Sequence, residues 1–248
     1  METAKGRTAV ITGASTGIGA ATAERLSREG FSVVLGARRL DKVQEVADRC
    51  RGKASALDVT DPVSAEAFCE AIDTAEVLVN NAGLASGLGP LAEIEEERVR
   101  VMWETNVMGL LRMTQALLPK LEASGHGHIV NIGSTAAIET YPGGGGYTAS
   151  KYAVTAITET LRKELLGKPV RVTQINPGLV ETEFSVVRFD GDKQAARKPY
   201  EGLEPLVADD IADCIAWAVT RPHHVNIDEI VVRPLSQATS TMIHREES

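Results

Sequence analysis

The part of the chain that decides the fold is Ala9-Val10-Ile11-Thr12-Gly13-Ala14-Ser15-Thr16-Gly17-Ile18-Gly19. A short apolar run leads into a glycine-rich turn, and a helix-forming segment over 18–29 follows at once. Glu29-Gly30 matches a helix end, because glycine readily adopts the left-handed conformation found there, and residues 31–35 are apolar again. The order strand, turn, helix, strand predicts a βαβ unit of about thirty residues.

The glycine turn also predicts a ligand. The exposed N-terminus of the helix would present unpaired amides and a positive dipole end, which suit a pyrophosphate. Gly13, Gly17 and Gly19 follow the spacing G-x-x-x-G-x-G rather than the commoner G-x-G-x-x-G. A tight connection without a ligand would use glycines in the same way, but the complete βαβ unit favours a dinucleotide site.

Apolar strand-like segments and helical patterns alternate along the whole chain. Such alternation predicts a doubly wound Rossmann fold, with seven parallel strands and helices on both faces. Because no Pro/Ser-rich linker, charge block or repeat divides the chain, residues 1–248 are expected to form one domain. The strands are predicted near 8–12, 31–36, 53–57, 76–80, 128–133, 169–175 and 227–232.

Tyr147 and Lys151 are four residues apart at the start of a helix-forming run that extends to Leu166, so both side chains lie on one face. A phenol titrates near pH 10. A cation about 4 Å away would stabilise the phenolate by roughly 4 kcal/mol at an effective dielectric of about 20. The pair therefore predicts a phenol made acidic enough for general acid–base catalysis. An isolated pair with this spacing is also a common surface contact.

Together these residues resemble the short-chain dehydrogenase/reductase family over nearly the whole chain. Five groups of residues, in the family's order, form the resemblance: Gly13, Gly17 and Gly19; Asp58-Val59; Asn80-Asn81-Ala82-Gly83; Asn106, Ser134, Tyr147 and Lys151; and Pro177-Gly178 with Thr182. The resemblance implies a catalytic tetrad of Asn106, Ser134, Tyr147 and Lys151. It also implies that Asn106 anchors a water molecule linking Lys151 to solvent.

A nicotinamide cofactor is implied by the same resemblance. The residues expected to bind it are Gly13, Ser15, Thr16, Gly17, Ile18, Gly19, Arg38, Arg39, Asp58, Val59, Asn80, Ala82, Gly83, Tyr147, Lys151, Pro177, Gly178, Val180 and Thr182.

The residues after the second predicted strand indicate which cofactor is used. Ala37 stands where an NAD enzyme places an acid for the ribose 2'-hydroxyl, and Arg38 and Arg39 follow it. Each hydrogen bond from a guanidinium to a phosphate contributes about 1.5–3 kcal/mol. The pattern therefore predicts NADP, although two arginines would also suit the start of an exposed helix.

The substrate region is predicted from a long segment and from a narrower resemblance. Residues 179–206 have mixed polarity and no sustained period, which is typical of a flap over a site. The stretches over 128–136, 182–189 and 224–227 resemble one branch of the family, the NADP-dependent 3-hydroxy acid (serine-type) dehydrogenases. That resemblance implies a small alcohol or carbonyl substrate. Arg188 is the candidate carboxylate ligand, since a guanidinium binds carboxylates in bidentate fashion. Substrate contacts are expected from Ser134, Gly144, Tyr147, Phe184 and Arg188.

One feature of this region, together with the breadth of the family, leaves other possibilities open. The run Gly143 to Gly146 presents almost no side chains, so a roomier pocket and a different substrate are possible. The alternatives are a reductase of another carbonyl class, such as a 3-oxoacyl group, sugar, steroid or aldehyde, and a non-catalytic dinucleotide sensor. A sensor need not keep the serine, tyrosine and lysine together.

Composition excludes several other classes of protein. The net charge of -8 disfavours nonspecific nucleic-acid binding, and no apolar run reaches the roughly eighteen residues of a membrane span. Residues 1–7 are too short and polar for a signal peptide. Three scattered cysteines suit a reducing compartment, so a cytoplasmic location is expected.

Two pairs of histidines, His126 with His128 and His223 with His224, lack the partners and spacing of a zinc site. Both pairs are predicted to lie in surface loops, and no bound metal is expected.

Family resemblance implies a homo-oligomer, a tetramer or a dimer, formed through helices over 106–121 and 147–166.

Overall fold

The computed structural model describes residues 6–246. Residues 1–5 and 247–248 lie outside the described part of the chain. The prediction that residues 1–7 are not a signal peptide therefore falls mostly outside it. Seven strands form a single sheet. In chain order they are β1 (Thr8–Thr12), β2 (Ser32–Ala37), β3 (Lys53–Ala56), β4 (Val77–Asn80), β5 (Gly127–Ile132), β6 (Val170–Pro177) and β7 (Glu229–Val232). Each predicted strand is found, with its ends shifted by at most two residues.

All neighbouring strands are parallel, in the order β3-β2-β1-β4-β5-β6-β7. The strand order reverses between β1 and β4, which pair with each other at the centre of the sheet. From β1 the sheet extends through β2 to β3 at one edge, and from β4 it extends through β5 and β6 to β7 at the other. The predicted fold class is therefore confirmed.

The helices are α1 (Gly17–Arg28), α2 (Leu40–Cys50), α3 (Pro62–Glu70), α4 (Glu96–Trp103), α5 (Leu110–Ala123), α6 (Gly145–Glu164), α7 (Glu183–Arg188), α8 (Lys193–Arg197) and α9 (Ala208–Val219).

Two apolar layers cover the two faces of the sheet. One joins the sheet to α1, α2 and α9 through residues such as Leu26, Val43 and Ile215. The other joins it to α3 and α5 through residues such as Phe68 and Leu117. Because side chains alternate along a strand, neighbouring residues of β1 enter opposite layers. This burial on both faces explains why the central strands consist almost entirely of buried residues.

The glycine turn after β1 lies directly against the residues that follow β4. The Asn81 side-chain amide donates to the carbonyl oxygens of Thr12 at 2.9 Å and Gly13 at 3.1 Å. A Cβ on Gly19 would lie 2.5 Å from both the Asn81 amide nitrogen and the Gly13 carbonyl oxygen. Gly13 itself has a φ of 65°. Glycine is thus required here both for conformation and for close packing of α1.

Two expectations about local structure are wrong. The segment around Asn106 is not one long helix, because a π-helical segment, Glu104–Gly109, separates α4 from α5. His128 does not lie in a surface loop. It is fully buried in β5, where its Nε2 lies 2.7 Å from the Thr173 hydroxyl. A strand buried on both faces accepts this histidine because a neighbouring strand supplies the hydrogen-bond partner.

No helix within residues 6–246 combines the length and the apolar character that crossing a bilayer requires.

Substituting Gly19 with alanine is expected to lower the free energy of unfolding by about 1–3 kcal/mol, because α1 must move away from the turn. Urea denaturation measures the loss. Gly89→Ala is the matched control, since a Cβ there meets nothing within 4 Å. Equal effects of the two substitutions would contradict the packing argument.

Candidate active site

A groove of about 700 Å³ runs along the carboxyl ends of the strands. It is lined by the glycine turn after β1, the segments after β2, β4, β5 and β6, and the start of α6. Residues 179–206 lie along its side and contain α7 and α8, with a parallel bridge between Val180 and Leu206 at their base. Ligands of doubly wound sheets bind at this edge, where the strand order reverses.

Tyr147 lies in the first turn of α6, at the floor of the groove, and is 8% exposed. Burial raises the pKa of its phenol above the ordinary value, although a hydrogen bond with the Ser134 side chain and the charge of Arg188 lower it. Ser134 is the second residue after β5, and its backbone N–H donates to the Asn176 side chain at 3.0 Å. The structure thus brings the predicted phenol and hydroxyl together.

Lys151 follows one helical turn later and is 5% exposed. Its Nζ donates to the Ile132 carbonyl oxygen at 2.8 Å and lies 5.8 Å from the centroid of the Tyr147 ring. Burial lowers the pKa of Lys151 to about 8. The expected net lowering of the tyrosine pKa is not found, because desolvation of the buried phenol dominates.

Asn106 lies in the π-helical segment, a distortion that is frequent at functional sites. Its side chain accepts from the Leu84 N–H at 2.8 Å and donates to the Leu84 carbonyl at 2.8 Å and to the Ser150 hydroxyl at 2.9 Å. These bonds connect the loop after β4 with α6. Asn106 thereby fixes the segment beside Lys151 instead of lining the groove itself.

At the other end of the groove, Arg38 and Arg39 follow β2. The Arg39 guanidinium lies 3.3 Å from the Ser15 hydroxyl and 3.4 Å from the Thr16 hydroxyl, above the glycine turn. Although burial acts in the opposite direction, two hydrogen bonds from Thr60 and the charge of Arg38 lower the pKa of Asp58. Cations and hydrogen-bond donors are thus concentrated at this end.

Most of the predicted site residues line one continuous groove: Gly13, Ser15, Thr16, Gly17, Ile18, Arg38, Arg39, Asp58, Val59, Ala82, Gly83, Ser134, Tyr147, Lys151, Pro177, Gly178, Val180, Thr182, Phe184 and Arg188. Four do not line it, namely Gly19, Asn80, Asn106 and Gly144. Gly19 and Asn106 act through packing and hydrogen bonds described above.

Asn80 is buried beneath the groove. Its side-chain amide donates to the Thr114 hydroxyl at 3.0 Å and to the Asn131 side chain at 2.9 Å. These bonds join β4 to β5 and α5, so the Asn80 side chain holds the strand ends together beneath the groove. It was expected to bind the cofactor, but it does not line the groove. The neighbouring Asn81 lines the groove instead.

The glycines before Tyr147 do not enlarge the pocket. A Cβ on Gly144 would overlap the Tyr141 ring, and one on Gly145 would lie 2.7 Å from the Leu91 side chain. On Gly146 it would lie 2.6 Å from the Met102 methyl group. The space left by these glycines is therefore filled by neighbouring side chains, and Gly144 does not line the groove.

Arg188, at the end of α7, extends over the Tyr147 ring. Its guanidinium carbon lies 5.7 Å from the centroids of the Tyr147 and Tyr141 rings. Its donors bond the Tyr141 hydroxyl at 3.0 Å and the Gly87 carbonyl at 3.3 Å. Both of these hydrogen-bond partners are neutral, so the positive charge of Arg188 remains available to an anion at the groove floor.

Sequence reasoning missed Tyr141 and a C-terminal tail over residues 234–246. Gln237, Ser240, Ile243 and Arg245 of this tail line the groove. Gln237 accepts from the Leu179 N–H at 2.9 Å, and Arg245 donates to the Pro199 carbonyl at 3.1 Å. No motif marks the tail, because its position depends on contacts with a distant segment. The Tyr-Pro preceding the glycine run was the available signal for Tyr141.

Within residues 6–246, no group of three or more histidine, cysteine, aspartate or glutamate side chains is arranged to hold a metal ion. The groove floor instead carries the side chains of Tyr147, Ser134 and Lys151. A phenol, a hydroxyl and an ammonium around one groove floor can bind a carbonyl or alcohol oxygen and exchange a proton with it.

Comparison with known proteins identifies the family. The family model described as short chain dehydrogenase matches residues 7–193. An uncharacterized oxidoreductase of Mycobacterium tuberculosis is 56% identical over 235 residues, which cover 95% of this chain and 94% of that protein. An NADP-dependent 3-hydroxy acid dehydrogenase of Schizosaccharomyces pombe is 39% identical over 259 residues and covers both chains completely.

The same relationship is found among solved structures. A serine dehydrogenase in its closed form, complexed with NADP+, superposes with a TM-score of 0.91 at 38% identity and covers 96% of this chain and 100% of that one. The predicted resemblance is thereby confirmed: the chain belongs to the short-chain dehydrogenase family.

Proposed function

We propose that this protein is an NADP-dependent oxidoreductase that transfers a hydride between nicotinamide and a small 3-hydroxy acid or the corresponding carbonyl compound. The observation that supports it most strongly is the position of Arg188, 5.7 Å from the ring centroid of a buried tyrosine that contacts Ser134. Its similarity to NADP-dependent 3-hydroxy acid and serine dehydrogenases supports the same cofactor and substrate class.

The residues of the groove fit an NADP molecule. The start of α1 would hold the pyrophosphate, because no side chain caps the N-terminus of this helix and its first amides are free to bind an anion. Arg38 and Arg39 would hold the 2'-phosphate, and Asp58 with Val59 would lie beside the adenine. Lys151 would bind the nicotinamide ribose, and Pro177, Gly178, Val180 and Thr182 would surround the nicotinamide.

The bound cofactor supplies or accepts the hydride. Tyr147 gives a proton to the carbonyl oxygen, or takes one from the hydroxyl in the oxidative direction. Ser134 donates a hydrogen bond to the same oxygen. With a pKa of about 8, Lys151 is mostly protonated at neutral pH, so it places a positive charge beside the phenol and favours proton release.

Arg188 explains why the substrate would have a carboxylate. A guanidinium with neutral partners in a partly buried position attracts an anion strongly, and it can bind a carboxylate through two parallel hydrogen bonds. Its distance from Tyr147 suits an acid whose hydroxyl and carboxylate are separated by a short carbon chain. Phe184, whose ring centroid lies 5.7 Å from that of Tyr147, would cover the apolar part.

We also propose a cytoplasmic homo-oligomer, either a tetramer or a dimer. Apolar side chains on the outer helices support it, since Tyr152 of α6 is 41% exposed and Trp103 at the end of α4 is 43% exposed. Aromatic residues are enriched in protein interfaces. The three described cysteines are free thiols, which suits a reducing compartment.

Tyr147→Phe is expected to abolish turnover while NADP binding is retained, because the substitution removes only the proton that the phenol exchanges. Absorbance at the NADPH band measures turnover with a panel of 3-hydroxy acids and carbonyl compounds, and fluorescence titration measures binding. Turnover near the wild-type rate would refute the role of the phenol.

Arg38→Asp is expected to weaken NADP binding tenfold to more than a hundredfold while NAD binding changes little, because only NADP has the 2'-phosphate. Calorimetric titration with each cofactor measures the difference. Lys42→Asp, in the first turn of α2, is a control for the change in net charge. An equal loss for NADP and NAD would overturn the assignment of Arg38.

Arg188→Ala is expected to raise KM for 3-hydroxy acids at least tenfold, since a charge-assisted bidentate contact is lost. An uncharged alcohol of similar size serves as the control substrate, and its KM should change much less. If KM for the acids stays the same, the carboxylate contact is wrong.

A further inference from the structure

A salt bridge crosses the cofactor groove between the glycine turn and residues 179–206. Arg39 Nη2 lies 3.1 Å from Glu183 Oε2, and the same nitrogen is within 3.4 Å of the Ser15 and Thr16 hydroxyls. Arg39 belongs to the β2 end of the groove, whereas Glu183 is the first residue of α7. One guanidinium nitrogen therefore connects both sides of the groove.

The position of Glu183 is set by its neighbours. Thr182 caps α7, with its hydroxyl accepting from the Phe184 N–H at 3.3 Å. Thr182 also packs on the glycine turn, because a Cβ on Gly17 would lie 3.3 Å from its side chain. The base of α7 thus rests on the proposed pyrophosphate site, and the Glu183 carboxylate extends from there toward the arginine.

Arg39 and Arg38 differ in whether the guanidinium is already paired with a carboxylate. In the described part of the chain, Arg39 is paired with Glu183, whereas Arg38 is not in a salt bridge and acts through its charge on Asp58. A carboxylate and a phosphate present the same kind of oxygen acceptors to a guanidinium. Glu183 therefore occupies the donor that a 2'-phosphate would use.

We propose that Glu183 is a residue that tunes cofactor affinity, because its carboxylate competes with the 2'-phosphate of NADP for Arg39. Binding of the phosphate displaces the Glu183 carboxylate from Arg39, whereas NAD, which has no such phosphate, leaves the pair in place. The inference rests on the proposed use of NADP and on Arg39 being near the 2'-phosphate.

The expected effect is modest. The side chains of Arg39 and Glu183 are 50% and 57% exposed, so solvent screens the pair and its contribution is small. Removing the carboxylate should tighten NADP binding about two- to fivefold. The gain should shrink at high salt, because screening weakens a pair that is already exposed.

The test compares Glu183→Gln with Glu181→Gln. Glu181 is an exposed acid two residues away that lies outside the salt bridges of the described residues, so the control removes the same charge without touching Arg39. Dissociation constants for NADP, NAD and adenosine 2',5'-bisphosphate are measured by calorimetry. Circular dichroism first establishes that each variant is folded.

The proposal predicts tighter binding of NADP and of the bisphosphate by Glu183→Gln, with NAD unchanged and Glu181→Gln close to the wild type. Combining Glu183→Gln with Arg39→Gln should remove the gain, since the carboxylate then has no guanidinium to occupy. Weaker binding of NADP and NAD alike would instead identify the pair as a latch over the bound pyrophosphate and overturn the proposal. Identical behaviour of Glu183→Gln and Glu181→Gln would also overturn it.

The wild-type protein separates this inference from the proposed function. A wild type that binds NAD as tightly as NADP would refute the proposed cofactor and the inference together. A wild type that prefers NADP, with no selective gain in Glu183→Gln, would leave the proposed function intact and refute the role of Glu183 alone.

Discussion

The close contact between the glycine turn after β1 and the segment after β4 is the constraint on which the site depends. The Asn81 amide bonds the carbonyls of Thr12 and Gly13, and Gly19 leaves no room for a side chain between them. These two strands are neighbours at the point where the sheet order reverses. Because the turn cannot move away, the N-terminus of α1 stays at the floor of the groove, and the residues after β5 and β6 extend that floor.

Burial determines the electrostatics of the catalytic groups. It raises the pKa of Tyr147 and lowers that of Lys151, so both side chains are biased toward their neutral forms. Arg188 opposes this bias at the tyrosine, since its positive charge favours the phenolate. The same guanidinium can therefore bind an anionic substrate and influence the acid–base group. In the proposed function, substrate binding and proton transfer would thus be linked through one charge rather than through separate parts of the site.

The sequence predicts the fold and most of the groove well, because strand and helix periodicity and the glycine turn are local signals. It does not distinguish Asn80 from Asn81, since their different roles depend on partners in β5 and in the turn. The π-helical segment around Asn106 and the burial of His128 likewise arise from packing between distant elements. The C-terminal tail could not be placed, because its contacts with the region around Pro199 have no local pattern.

The packing around the glycine run affects how this enzyme could be redesigned. The wall of side chains beside this run is formed by Tyr141, Leu91 and Met102, which fill the space next to Gly144, Gly145 and Gly146, and Tyr141 is the one of the three that lines the groove. Larger residues introduced at these glycines would collide with that wall instead of reshaping the cavity. Libraries for bulkier substrates would therefore start from Tyr141 and its neighbours, where a smaller side chain opens volume without disturbing the backbone that holds the catalytic tyrosine.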